Sequence, residues 1–299
     1  MPLKISAAVP TYNSEKIIKE CLDSLIAQTH PFDEIIIVDN ASTDRTREII
    51  EAYPFKKILL EKNMERCFSR NTGWQAARNE LVAIIENDSV YDKHWVEKVL
   101  ESIENGADAV VDRRAVYKPE TFISRMNDEF FTVRMLKNEY KPYSAWVFRK
   151  SILEELGGYD EGQVGFEDME LGTRLIKKGY KIAYQPDALS SHAGEPSTLK
   201  QELKRSWWFG IRAHKYYKKY PDEFPYARFI GLSILTFSIL QPYLLVMLLM
   251  GGSILLLIKF IQMKMNPVYA LAEAVLSIMR SWVFFIAYVI SSIDRTRRR

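Results

Sequence analysis

The chain has 299 residues, 47% of them hydrophobic and 12% aromatic, which is enough apolar surface for one large or two small packed domains and too much for global disorder. Forty-one basic residues against 38 acidic ones leave a formal net charge of +3. No overall electrostatic case for nucleic-acid binding follows from so near a balance. The two cysteines, Cys21 and Cys67, lack CxxC or Cys/His ligand spacing, which argues against a structural zinc site or a disulfide framework.

From the N-terminus, short apolar runs alternate with amphipathic stretches. Strands are expected at Ile5 to Val9, Glu34 to Val38, Lys57 to Leu60, Leu81 to Ile85 and Ala107 to Val111. Helices are expected between them at Glu15 to Gln28, Arg45 to Ala52, Phe68 to Asn79 and Lys93 to Glu104. This alternation predicts an α/β fold with a mostly parallel, doubly wound sheet. Asn13 or Ser14 is the expected cap of the first helix, and Ser42 or Thr43 of the second, before Asp44 at its positive end. After Arg113 the alternation weakens into a mixed region reaching about Gln185, with a strand-like Tyr143 to Phe148 and a helix from Asp168 to Lys178.

Beyond Lys200 a basic and aromatic helix carries Lys204, Arg205, Trp207, Trp208, Arg212, Lys215, Tyr216 and Tyr217, a mixture suited to a membrane interface. Phe229 to Ile258 contains no charged residue, and Val268 to Ile290 contains only Glu273 and Arg280, seven apart and able to share a helix face. Basic residues flank both ends of this tail, so two spans with both termini cytoplasmic satisfy the positive-inside tendency. The start, Met-Pro-Leu-Lys-Ile-Ser, lacks a signal-peptide pattern, which places the N-terminal domain on the same side. The competing reading makes Phe229 to Ile258 the dimerisation element of a soluble homo-oligomer.

In open α/β sheets ligands bind at the carboxyl ends of strands. Here those ends carry Pro10-Thr11-Tyr12-Asn13, Asp39-Asn40-Ala41-Ser42-Thr43-Asp44 and Glu86-Asn87-Asp88, three polar clusters expected at one crevice. Each alone reads as turn and cap chemistry. Glu86 and Asp88 suit a hard divalent cation, Mg²⁺ or Mn²⁺, that neutralises a diphosphate. Asp39 is placed to accept from a ribose hydroxyl or a base edge. Asp168, in Gly165-Phe166-Glu167-Asp168-Met169-Glu170, is either a dipole partner of its helix or a general base. His192, expected in a loop, is a candidate third metal ligand or diphosphate contact. No GxGxxG and no GxxxxGK[ST] follows the first strand, which removes support for a dinucleotide dehydrogenase or a phosphate-loop NTPase.

Pro10-Thr11-Tyr12-Asn13, Val38 to Asp44, Ser69-Arg70-Asn71-Thr72-Gly73, Gly157-Gly158-Tyr159-Asp160-Glu161 and Phe166-Glu167-Asp168, in this order and spacing, resemble glycosyltransferase family 2. With Arg174, Gly179-Tyr180 and His192, the resemblance runs from residue 3 to about 198. It implies a nucleotide-diphospho-sugar transferase fold, an inverting single displacement and a divalent metal. Carried over by position, Pro10, Thr11, Tyr12, Asp39 and Arg70 hold the nucleoside, with the strand-end Asn13 and Asn87 counted in the donor site. Glu86 and Asp88 meet metal and diphosphate, Asp168 is the base, and Glu167 supports the acceptor. Three departures matter: Glu86 stands where the family places aspartate, Asn63 lacks its nearby glycine, and Gln201 to Trp207 does not match the spacing of the processive synthases' Gln-x-x-Arg-Trp.

The expected organisation is a catalytic domain at 1–198, a juxtamembrane helix at 199–228, membrane-embedded helices at 229–293 and a basic tail at 294–299. The function implied is transfer of one sugar to a polyprenyl phosphate or lipid-linked glycan at the cytoplasmic face of a membrane. The alternative is a catalytically weak, membrane-bound scaffold subunit that only binds nucleotide sugars.

Overall fold

The computed structural model describes residues 3–136, 146–226 and 242–296. The chain divides into two compact units, one formed by 1–118 with 138–195, the other by 119–137 with 196–299. The segment 119–137, expected within the catalytic domain, therefore groups with the C-terminal helices.

The first unit is built on one sheet of eight strands in the order β3-β2-β1-β4-β7-β6-β8-β5. The strands are β1 Ile5–Thr11, β2 Glu34–Asp39, β3 Lys56–Leu59, β4 Leu81–Ile84, β5 Ser89–Tyr91, β6 Ala109–Val116, β7 Val147–Arg149 and β8 Ile182–His192. β1, β2, β3 and β4 pair parallel. β7 enters antiparallel between β4 and β6, β8 runs parallel to β6, and β5 closes the edge antiparallel to β8. The sheet is thus mixed but mostly parallel, as expected. β8 is the element the sequence hides: its polar residues and the register break between Asp112 and Arg113 give no apolar run, and its pairing with β6 is long-range. His192 accordingly sits at a strand end and not in the expected loop.

Both sheet faces are covered, which is why the central strands read as continuous apolar runs. On one face Ile5, Ala7, Val9, Ile35, Ile37, Leu81 and Ala83 pack against α1 (Ile18–Ile26), α2 (Thr46–Glu51) and α4 (Trp95–Glu104). On the other, Ala8, Ile36, Val38, Val82 and Ile84 pack against α3 (Arg66–Ala76), α6 (Lys150–Leu156) and α7 (Glu167–Lys178).

The expected side-chain caps do not form: α1 and α2 begin at Ile17 and Arg45 with no capping hydrogen bond. The polar turn residues bond across to each other. Thr43 N donates to Asn13 Oδ1 at 2.8 Å, Asn13 N to Ser42 Oγ at 3.0 Å and Ser14 N to Thr46 Oγ1 at 2.7 Å. These bonds clamp the β1 and β2 loops together.

The second unit contains α5 (Phe122–Leu136), α8 (Leu199–Lys219), α9 (Pro242–Gln262) and α10 (Pro267–Thr296). Thr198 and Gln201 form a reciprocal capping box at the start of α8. Gly210 of α8 lies against Phe284 and Ala287 of α10, a small residue allowing close helix approach. Pro267–Ser292, 26 residues long, is the one helix among the described residues long and apolar enough to cross a membrane. The other expected span, Phe229 to Ile258, lies in its first part outside the described residues, and Pro242 opens α9 within it.

Glu273 and Arg280 of α10 share a face as expected, and Glu273 is fully buried. Arg280 Nη2 donates to Glu273 Oε1, and its Nη1 lies 3.3 Å from Oε2 of the buried Glu202, whose Oε1 accepts from Asn127 Nδ2 at 2.6 Å. One guanidinium thus serves two buried carboxylates on two helices. Arg280→Leu removes the charge partner of both, leaving Glu202 with its Asn127 bond and Glu273 with its Ser277 bond, and is expected to destabilise this unit by roughly 3 kcal/mol. Thermal unfolding in detergent is the check, and a midpoint within about 1 °C of the parent would show that the network contributes nothing.

Candidate active site

Parallel pairing puts the ends of β1, β2 and β4 at one edge of the sheet. Thr11 and Asp39 are register partners, and Asn40 N donates to Thr11 O at 2.8 Å. Asp39 is fully buried; its Oδ2 takes Arg47 Nε at 2.6 Å and Ser42 N at 3.2 Å, while its Oδ1 is buried with no hydrogen-bond partner among the described residues. A buried acceptor without a donor is costly and suits a ligand hydroxyl or N–H. Thr11 Oγ1 accepts from Asn87 Nδ2 at 3.2 Å, and Asn87 also reaches Ser14 Oγ, joining the β4 loop to the other two. Tyr12 is exposed beside them. Pro10 sits one residue earlier on β1, paired with Val38 of β2.

Glu86, Asp88 and His192 each offer a ligand atom, and these atoms lie within 4.8 Å of one another. His192 Nε2 is 3.0 Å from Asp88 Oδ1 and 3.8 Å from Glu86 Oε2. The pairing of β5 with β8, Ser89 opposite His192, brings the histidine to the β4 exit. Burial, the largest single influence, would raise the Asp88 carboxyl, but the hydrogen bond and charge of His192, the Arg114 charge and a backbone hydrogen bond together outweigh it and hold the group below the usual carboxylate range. Two carboxylates and one imidazole are a donor set that would suit Mn²⁺ or Mg²⁺.

The third group sits at the start of α7. Phe166 precedes it in the left-handed region, φ 62°, a conformation that costs a non-glycine residue roughly 1–2 kcal/mol and here aims Glu167 and Asp168. Asn13 and Ala41, also at positive φ, lie in the β1 and β2 loops. Arg70 Nη1 bonds Asp168 Oδ1 at 2.5 Å and Glu167 Oε1 at 3.2 Å, and Arg66 Nη1 reaches the same Glu167 oxygen at 3.1 Å. Burial pushes the Asp168 carboxyl up to about 7, with Arg70 pulling against the rise and the Glu167 and Glu86 charges adding to it. Burial also acts on Glu167, but Arg70 and Arg66 hold it below the ordinary range. Two adjacent carboxyls are thereby pushed apart, one firmly anionic and one poised near neutrality.

Arg70, expected at the nucleoside, is thus engaged with the two acids, and its guanidinium lies between the rings of Trp146 and Tyr159, 5.3 and 5.1 Å from their centroids. Sequence reasoning missed several residues. Arg47 holds Asp39. Asn40 clamps Met64, accepting its N–H at 2.7 Å and donating to its carbonyl at 2.5 Å. Arg114 lies 3.5 Å from Glu86 Oε2 and 3.0 Å from Glu195 Oε1. The only sequence hint was Arg113-Arg114 interrupting a strand.

A mostly parallel sheet with strand-end acids, a metal-competent cluster and a base-like carboxyl defines a nucleotide-sugar transferase architecture. The model of Glycosyl transferase family 2 matches residues 6–157, and the chain belongs to that family. Glycosyltransferase AglE of Haloferax volcanii is 26% identical over 216 residues, covering 67% of this chain and 71% of that one. O-antigen chain rhamnosyltransferase WbaN of Salmonella anatum is 28% identical over 223 residues, covering 68% and 70%. The chain spans only 53% of a third relative, the probable glycosyltransferase YdaM of Bacillus subtilis. Among solved structures, mannosyltransferase PcManGT from Pyrobaculum calidifontis, in complex with GDP-Man and Mn²⁺, aligns with a TM-score of 0.59 at 21% identity over 99% of this chain and 87% of that one. S. aureus TarS 1-349 with UDP aligns at 0.55 and 22% identity, over 77% and 75%. At these identities the two structures share the fold.

Proposed function

We propose that the protein is an inverting, metal-dependent glycosyltransferase, anchored in a membrane by its C-terminal helices, that moves one sugar from a nucleoside-diphosphate sugar to a lipid-linked acceptor at the cytoplasmic face. The observation that carries this reading is the pairing of two kinds of acid at one sheet edge: a metal-competent Glu86–Asp88–His192 cluster and an Asp168 carboxyl held at about 7.

Each group then has a task. Asp39, through its open Oδ1, takes a hydroxyl or N–H of the nucleoside, with Thr11, Tyr12 and Asn13 at its side. Asp88, His192 and Glu86 would hold a Mg²⁺ or Mn²⁺ ion, which would supply positive charge to a departing diphosphate. Asp168 takes the proton of the acceptor hydroxyl as its oxygen bonds the anomeric carbon. The bond to the diphosphate breaks on the opposite face, and its electron pair leaves with the nucleoside diphosphate. Arg70 orients the base and spreads its charge.

Asp168 also separates the two acceptor classes. A polyprenyl phosphate presents an anionic oxygen that needs no base, whereas a sugar hydroxyl does. A carboxyl tuned to about 7 therefore favours the hydroxyl of a lipid-linked glycan. The test is a panel of nucleotide sugars with Mn²⁺ and both lipid acceptors, with the product anomer read by NMR. Inverted product on the glycan supports the reading; retained configuration sinks it.

A further inference from the structure

We propose that Glu195, buried beside the Glu86–Asp88–His192 cluster and paired with Arg114, is the positioning carboxylate that fixes the His192 ring with Nε2 turned to the cation. This rests on the metal-site reading above.

The Glu195 side chain is 1% exposed. Its Oε1 lies 3.6 Å from His192 Nδ1, the ring nitrogen opposite the one facing Asp88, and His192 Nδ1 is buried with no hydrogen-bond partner among the described residues. An imidazole that gives Nε2 to a metal must carry its proton on Nδ1, and that proton needs an acceptor. Glu195 is the acceptor within a small movement of reach. On its other side Arg114 Nη2 is 3.0 Å away, and the same guanidinium reaches Glu86. A loop from Arg114 through Glu195 and His192 thus ties the histidine and Glu86 to one support.

The backbone is built for this placement. Tyr117 N donates to His192 O at 3.0 Å and Ala193 N to Asp88 O at 2.8 Å. Between His192 and Glu195, a Cβ on Gly194 would stand 2.6 Å from Asp88 Oδ2 and 2.7 Å from His192 Cε1, so a side chain there would push these two groups out of their present positions. Charge points the same way. Glu86, Asp88 and Glu195 with Arg114 and a neutral imidazole carry a net −2. A third carboxylate packed beside two others is disfavoured unless a divalent cation completes the set.

The test uses the full chain in detergent and Mn²⁺ alone, with free ion followed by continuous-wave EPR and bound imidazole detected by its ¹⁴N coupling in pulsed EPR. Glu195→Gln keeps the shape and the Arg114 contact but weakens the acceptor. It is expected to bind Mn²⁺ about 10–100-fold more weakly than wild type, with reduced ¹⁴N coupling and an unchanged thermal midpoint. Glu195→Asp should recover part of both signals. Wild-type affinity and coupling in Glu195→Gln overturn the proposal while leaving the metal site standing. If instead His192→Ala and Asp88→Asn bind Mn²⁺ as wild type does, the metal-site reading fails and the positioning role falls with it.

Discussion

Asp168→Asn is expected to slow sugar transfer to a hydroxyl acceptor by about 10²–10⁴-fold while leaving nucleotide-sugar binding within a few-fold of wild type. The amide keeps the size of the side chain and a hydrogen-bonding group for Arg70 to face, but it cannot take a proton. Transfer to a phosphate acceptor, which needs no base, should fall far less. The pH profile follows with a definite sign. The base works only as carboxylate, so with its carboxyl held at about 7 the rate should climb as pH rises through that value and then level. Arg70 opposes the rise, so Arg70→Gln should move the climbing limb to higher pH. A flat profile between pH 6 and 8 with a rate-limiting chemical step would remove Asp168 from the role.

The second large effect belongs to Asp88. Its carboxylate is the one nearest His192, whereas Glu86 stands farther off and is shared with Arg114. Asp88→Ala is expected to lose Mn²⁺ binding and to cost about 10²–10³ in kcat, roughly 3–4 kcal/mol of stabilisation at the departing diphosphate. Glu86→Asp, which shortens the side chain to the length usual in the family, should be milder and should keep Mn²⁺ bound. Parallel metal titrations and initial rates decide it. Asp88→Ala with wild-type metal affinity would transfer the metal role elsewhere.

The sequence made the parallel half of the sheet legible because β1, β2 and β4 are buried on both faces and read as mostly apolar runs ending in polar clusters. Asp39, Glu86 and Asp88 were found by that rule alone. Elements held by distant partners were not: β8 has neither a continuous apolar run nor a period-2 alternation, carries Pro186 mid-strand, and is recognisable only through its pairing with β6. The strand-like reading over Tyr143 to Phe148 landed near β7, although 143–145 lie outside the described residues. The helix caps were misassigned because Asn13, Ser42 and Thr46 can bond either their own helix or a neighbouring loop, and local sequence does not say which. Arg114 with its partner Glu195, and the acid partners of Arg70, escaped for a related reason. The Arg114–Glu195 and Arg70–Asp168 pairs join residues tens of positions apart, and no spacing encodes such a contact.

The proposed nucleotide half of the site rests on strand-end position and a family pattern, and the buried Asp39 Oδ1 without a donor among the described residues supports it. The membrane half was legible by composition. The Glu273–Arg280–Glu202 network pairs the two charges of the otherwise apolar Val268 to Ile290 stretch with each other and with a buried carboxylate of α8.

The most direct measurement is nucleoside diphosphate release by the purified full chain, followed together with sugar appearing in the lipid fraction. Release and incorporation should match one for one, vanish with EDTA and return with Mn²⁺. Nucleotide binding that ignores the metal and yields no release would contradict the transferase reading and mark the chain as a scaffold that only holds the donor.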